Sequence, residues 1–178
     1  MKIITAPSPI LKKKSSLVTN IDSQIKILAN QLIISLTNKG IGLAAPQIGK
    51  NKAIFVINLP KQGPQVFINP SIINHSPKKQ YFQLEQNNHQ EQEQPQPFLE
   101  GCLSLPHLYG TVKRWPKITA QWLDLSGKKQ QKKLTDLSSI VFQHELDHLI
   151  GKLFPQRITK EGGQLYQEKR GQLEKISA

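Results

Sequence analysis

His144 and His148 stand four residues apart in Gln143-His144-Glu145-Leu146-Asp147-His148, with Glu145 directly after the first of them. On a helix, residues i and i+4 project from one face, one turn apart. That is the spacing two imidazoles need to grip a single divalent ion. A carboxylate beside the first ligand is placed to take a proton from a water that the metal activates. The chemistry suggested is metal-assisted hydrolysis. Two histidines on a solvated helix face are the plainer alternative, but with five histidines in 178 residues chance seldom sets two at this spacing around a glutamate.

A hydrolytic metal takes three protein ligands and keeps one position open for water. Cys102 in Glu100-Gly101-Cys102-Leu103-Ser104 is the leading third candidate and the only cysteine. A lone cysteine is more often a small buried hydrophobe than a ligand. His75, His89 and His107 are weaker candidates, the first two in or near a polar stretch and the third beside Pro106. Asp147 points away from the histidine face and is expected to fix a ring N–H of a ligand. A third segment runs Gly40-Ile41-Gly42-Leu43-Ala44-Ala45-Pro46-Gln47. Its glycines let backbone approach a ligand closely, and the Gln47 amide N–H is a fit donor to a developing oxyanion. Taken alone, this segment reads equally well as a tight turn between helix and strand.

The elements that must position these groups follow from periodicity. Residues 1–20 read as an irregular arm. Asp22 or Ser23 caps a helix expected to run to Lys39, with Ile25, Leu28, Leu32, Ile33 and Leu36 at helical spacing and Gly40 as its stop. Residues 53–58 read as a buried strand, and 66–68 as a short one stopped by Asn69-Pro70, with Ile72 and Ile73 continuing the sheet. The Gln-rich stretch 80–97 is expected to be a mobile loop, since it has little to bury against its ordering entropy. Residues 118–124 and 129–134 form a hairpin about Ser126-Gly127. Asp136 or Ser138 caps a helix through His144 and His148 to Ile150, closed by Gly151. The polar tail 161–178 is expected to be a short surface helix. One domain, 1–178, of α+β class results.

Lysine and arginine number 24 against 12 acidic residues, a net charge of +12, with apolar residues at 37% and a mean hydropathy of −0.42. Such a balance favours phosphate-rich partners. The scatter of the lysines in short runs fits a solvated surface better than a built groove. One cysteine rules out an intramolecular disulfide. The expectation is a soluble cytoplasmic protein with no membrane contact.

In their order, Gly40–Gln47, Glu100–Ser104 and Gln143–His148 resemble the three signature segments of peptide deformylases. The resemblance extends from Pro9 to Phe154, apart from the Gln-rich stretch. It implies an α+β fold of antiparallel and mixed strands around a central metal-binding helix. It implies hydrolysis of the N-terminal formyl group of formylmethionyl nascent peptides, with release of formate. It implies one divalent ion, natively Fe2+ with Zn2+, Ni2+ or Co2+ as substitutes, held by Cys102, His144 and His148. Glu145 would be the general acid/base, and Gln47 with the backbone N–H of Leu103 the oxyanion donors. Ile41, Gly42 and Gly101 would pair with the peptide backbone. Ile41, Phe98, Tyr109, Leu137, Ile140 and Val141 would wall the methionine pocket, and Glu100 would hold the metal turn through Arg114. A monomer in transient electrostatic contact with the ribosome is expected. The chain departs from the family in its Gln-rich insertion, in Lys12 where arginine is usual and in Asp136 where glycine is frequent. The rival readings are a zinc endopeptidase, which leaves the first two segments unexplained, and a non-enzymatic ribosome- or RNA-associated homologue with a structural metal.

Overall fold

The structure, a computed structural model, describes residues 1–83 and 97–177. Helix α1 (Ser23–Leu36) starts at Asp22, whose carboxylate accepts the Ile25 N–H at 3.0 Å, a cap of a kind that stabilises by about 1 kcal/mol. The helix stops at Leu36, short of the expected Lys39 and before Gly40 can act. Thr37 leaves helical backbone, and its hydroxyl donates to the Ile33 carbonyl at 3.0 Å, the local competition that threonine offers a helix.

Eleven strands are described: β1 (Gly42–Ala44), β2 (Ile54–Leu59), β3 (Gly63–His75), β4 (Gln80–Tyr81), β5 (Leu99–Cys102), β6 (Leu105–Thr111), β7 (Lys113–Arg114), β8 (Lys117–Leu123), β9 (Lys129–Thr135), β10 (Leu165–Lys169) and β11 (Gln172–Ile176). They form a five-stranded sheet in the order β1-β2-β3-β8-β9, a four-stranded sheet in the order β11-β10-β6-β5, and the pair β4-β7. Every ladder is antiparallel. β3 is longer than its sequence suggests. Asn69-Pro70 makes an irregularity in the pairing with β8 rather than an end. Asn69 takes a φ of 50°, and its amide bonds both the N–H and the carbonyl of Val18 at 2.9 and 2.8 Å, so the kink is held by side-chain bonds. Gln80-Tyr81 pairs with β7, and Gln83 bridges Pro97, which orders both ends of the stretch expected to be loop. The mobile-loop expectation for residues 84–96 lies outside the described residues.

The five-stranded sheet is covered on both faces, which explains why residues 53–58 carry no polar alternation. Ile54 and Val56 pack with Ile25, Leu28, Leu32 and Leu36 of α1. Their neighbours Phe55 and Ile57 point to the opposite face, as strand geometry requires. There they meet Phe67, Trp122 and the residues Val141, Phe142 and Leu149 of the second helix, α2 (Asp136–Leu149). The metal-motif helix is thus the centre of the molecule, fixed by aromatic packing through Phe142 against Phe55 and Phe67.

The N-cap position of α2 is Thr135 rather than Asp136 or Ser138. The Ser138 hydroxyl accepts the Thr135 N–H at 3.1 Å. Asp136 has a φ of 50°, a backbone that asparagine and aspartate tolerate better than most residues and glycine best of all. An aspartate is thus accommodated at a position where the resemblance leads one to expect glycine. A third helix, α3 (Phe154–Glu161), for which the sequence reading has no counterpart, buries Phe154 and Ile158. The tail is a β10–β11 hairpin, not a surface helix. Its Arg170-Gly171 turn has φ of 52° and 79°, the two positive values of the tight turn that matches strand twist. Val112, Phe154, Ile158 and Leu165 form a small separate core that ties hairpin and α3 to the four-stranded sheet.

The irregular arm links the site segments. Ile4 N–H donates to the Gln47 carbonyl at 2.8 Å, Ala6 N–H to the Ser104 carbonyl at 2.9 Å, and Ser15 N–H to the Leu149 carbonyl at 2.8 Å. No described helix is long and apolar enough to cross a membrane.

Candidate active site

β5 delivers Cys102, and α2 delivers His144, Glu145 and His148. The 3-10 turn Ala45–Ile48 after β1 delivers Gln47. One donor atom each from Cys102, His144 and His148 lies within 4.8 Å of the others, and Cys102 Sγ is 3.3 Å from His148 Nε2. Burial would raise the Cys102 thiol, but His148 and His144 outweigh it and bring the group down to about 5. Burial would depress His144, yet the bonds to Cys102 and Glu100 push it well above its usual range. A half-buried thiol whose ionisation is favoured by two neighbouring imidazoles is a donor set that a divalent cation can take by displacing protons. The donor set therefore fits a single metal ion.

The atoms behind the donors fix their orientation. Glu100 accepts from His144 Nδ1 at 2.8 Å. An ionised carboxylate has no proton to give, so Nδ1 carries the hydrogen and Nε2 faces the cluster. Burial opposes ionisation of Glu100, but Arg114 and His144 prevail and hold it at about 2. Arg114 grips Glu100 with two bonds of 2.8 Å and also bonds Asp147, which Arg157 bonds from its other side. Asp147 therefore bonds two guanidinium groups and no ligand ring; Glu100 takes the ring N–H of His144, and His148 Nδ1 has no hydrogen-bond partner among the described residues. Both acids and Arg114 are buried.

Glu145 is 3% exposed, and its Oε2 has no hydrogen-bond partner. Burial raises the carboxyl to about 7, with the two histidines pulling in the other direction. A Cβ on Gly42 would collide with this carboxylate, so the glycine in β1 is what admits it. Gln47 is pinned at both ends. Its Oε1 accepts the Ala44 N–H at 2.7 Å, and Nε2 points at Ser104 Oγ (3.2 Å) and Cys102 Sγ (3.6 Å).

These groups face a cleft of ≈ 470 Å³. Ile41, Gly42, Gln47, Glu100, Gly101, Cys102 and Leu103 line it, with His144 and Glu145 at its floor and Phe98, Tyr109, Ile140 and Val141 as apolar wall. His148 is buried behind Cys102. Leu137 is not among the lining residues and packs, half-buried, on the aromatic core. Glu100 reaches the cleft but is fully engaged by Arg114 and His144. His75 stacks on Trp115 with ring centroids 3.9 Å apart, away from the cluster. His107 lies at the cleft wall beside Glu168, and His89 lies outside the described residues. Lys39, Leu105, Pro106, Leu108 and Glu168 also line the cleft and were not anticipated. Ser104 takes part through its hydroxyl, which accepts from Gln47 Nε2, a contact its motif does not signal. Nothing in the local pattern of Glu168 signals the cleft, since a strand pairing brings it there.

A sequence model of the polypeptide deformylase family matches residues 1–164. The chain belongs to the peptide deformylase family. Among relatives, peptide deformylase 2 of Vibrio cholerae is 38% identical over 158 residues, covering 86% of this chain and 83% of its own length. The peptide deformylase of Rhizobium meliloti is 36% identical, with 89% and 84% covered. Among solved structures, a Plasmodium falciparum peptide deformylase superposes with a TM-score of 0.76 at 35% identity, covering 90% of this chain and 88% of that one. The Thermotoga maritima peptide deformylase gives 0.75 at 30% identity, with 87% and 95% covered. The family match ends at residue 164, so the β10–β11 hairpin lies beyond it.

Proposed function

We propose that this deformylase removes the N-terminal formyl group from formylmethionyl peptides and releases formate. The observation that carries the reading is Glu145. It is a buried, unpartnered carboxylate poised near neutrality beside a Cys-His-His cluster at the floor of a cleft. Cys102, His144 and His148 would hold one divalent ion, with Fe2+ proposed as the native metal. Such an ion supplies Lewis acidity and a water of lowered pKa. Glu145 would take the proton given up by the attacking water as its oxygen bonds the formyl carbon, and deliver it to the amine as the C–N bond breaks and formate leaves, a role suited to a carboxyl near pH 7. Gln47 Nε2 and the Leu103 N–H donate to the oxygen on which charge develops.

Two open sheet edges support an extended substrate. Among the described residues, β1 is a terminal strand of one sheet and β5 of the other, and both line the cleft. A peptide laid between Gly42 and Gly101 would add as a strand. Phe98, Tyr109, Ile140 and Val141 then offer an apolar surface to the methionine.

The test is release of a free amine from a formylmethionyl peptide by metal-loaded protein. Activity should vanish with a strong chelator and return on adding Fe2+ anaerobically. Cys102→Ser should lower metal retention by at least about tenfold, because a hydroxyl is a poor soft ligand. Full retention of metal in that variant would remove Cys102 from the site. An endopeptidase would instead cut unformylated chains internally.

A monomer in the cytoplasm that visits the ribosome is part of the same proposal, supported by the net charge of +12. Cosedimentation with ribosomes should weaken steeply as salt rises, as phosphate contacts require. Binding indifferent to salt would remove the electrostatic account.

A further inference from the structure

We propose that Glu168 sets the charge preference of the cleft for the residues that follow the formylated methionine, favouring basic over acidic ones. The proposal rests on the deformylase reading above. Glu168 belongs to the hairpin beyond the family match, yet it lines the substrate cleft. β10 runs antiparallel to β6 with Tyr166 opposite Tyr109 and Gln167 opposite Leu108. The next residue, Glu168, therefore comes up beside His107.

The chemistry of the side chain favours an incoming cation. The Tyr109 hydroxyl donates to Glu168 Oε2 at 3.3 Å, and His107 Nδ1 stands 3.4 Å from the same oxygen. Oε1 is left for another donor. Among the described residues no lysine or arginine pairs with Glu168, and the adjacent Lys169 is taken by Glu174. The other two carboxylates of the cleft are unsuited to this role, since Glu100 is neutralised by Arg114 and Glu145 is buried against Gly42. The Glu168 side chain is 35% exposed, so it is open to a side chain in the cleft and partly screened by solvent. Lys39 lines the cleft from the loop before β1, while Glu168 stands on the β6 side beside Tyr109. β6 lies between β5 and β10, so a peptide added along β5 reaches Glu168 with a long side chain that leans across β6 past Tyr109. Side chains alternate between faces, so the second and third positions are each tried.

The test uses C-terminally amidated formylmethionyl tripeptides with Lys, Gln or Glu at the second or at the third position. For the metal-loaded protein at low salt, kcat/KM for Lys over Glu should be roughly fivefold at one of the two positions, the scale of a partly exposed charge contact. The ratio should shrink at high salt. It should approach one in Glu168→Gln and invert in Glu168→Lys, through changes in the Lys and Glu peptides that exceed any change in the Gln peptides. Equal ratios in parent and variants would overturn the proposal. So would a uniform loss for all peptides in Glu168→Gln, which would mean that Glu168 only braces Tyr109. Failure of the parent to deformylate even the Gln peptides would instead overturn the deformylase reading itself.

Discussion

Glu145→Ala is expected to lower turnover of formylmethionyl peptides by about 10²–10⁴-fold, the usual scale of a positioned acid or base, while the protein keeps its metal. The separation of the two effects follows from geometry. Glu145 contributes no atom to the Cys102, His144 and His148 cluster, and its Oε2 bonds no protein group. Removing the carboxylate leaves the donors and the bond from His144 to Glu100 in place. Glu145→Gln fills the same space against Gly42 but has no proton to exchange, and should be equally inactive. Metal analysis alongside steady-state kinetics makes the measurement. Near-normal turnover in either variant would remove Glu145 from the mechanism. Loss of metal together with activity would show it to be structural.

Arg114→Met should destabilise the protein by about 3–5 kcal/mol, the cost of stranding buried charge. Arg114 bonds Glu100 and Asp147 at once, and all three groups are 4% exposed. Methionine matches much of the volume but neutralises neither carboxylate. Asp147 retains Arg157, whereas Glu100 keeps only His144. The variant should unfold at markedly lower urea concentration, and its metal affinity should fall because the carboxylate that orients His144 is no longer held. An unchanged midpoint of unfolding would mean that the bracket around the metal turn contributes nothing to stability. Arg114→Lys should recover little, because one ammonium cannot reproduce the two-pronged grip on Glu100.

Features governed by local period were legible in the sequence. The i, i+4 spacing of His144 and His148 holds in any helix, and Asp22 caps α1 as its side chain predicts. The apolar run 53–58 announces a strand buried on both faces. The family resemblance joined Cys102, Gln47 and Gly42 to the helix, and the cleft gathers them.

Choices made between distant segments were not legible. Asp147 and Glu100 are both acids near the motifs. Only the pairing of β5 with β6 and the packing of α2 decide that Glu100, 44 residues from His144, receives the ring N–H. Asp147 turns instead to Arg114 and Arg157. The tail shows the same limit. Its polar residues satisfy a surface helix as well as a hairpin, and Arg170-Gly171 is the one local sign of a turn. What selects the hairpin is the free edge of β6, which offers backbone partners to residues 165–167, and the cluster around Phe154 and Ile158 that buries Leu165. A strand pays for its exposed backbone only when a neighbour pairs with it, and the sequence of a strand does not contain its neighbour.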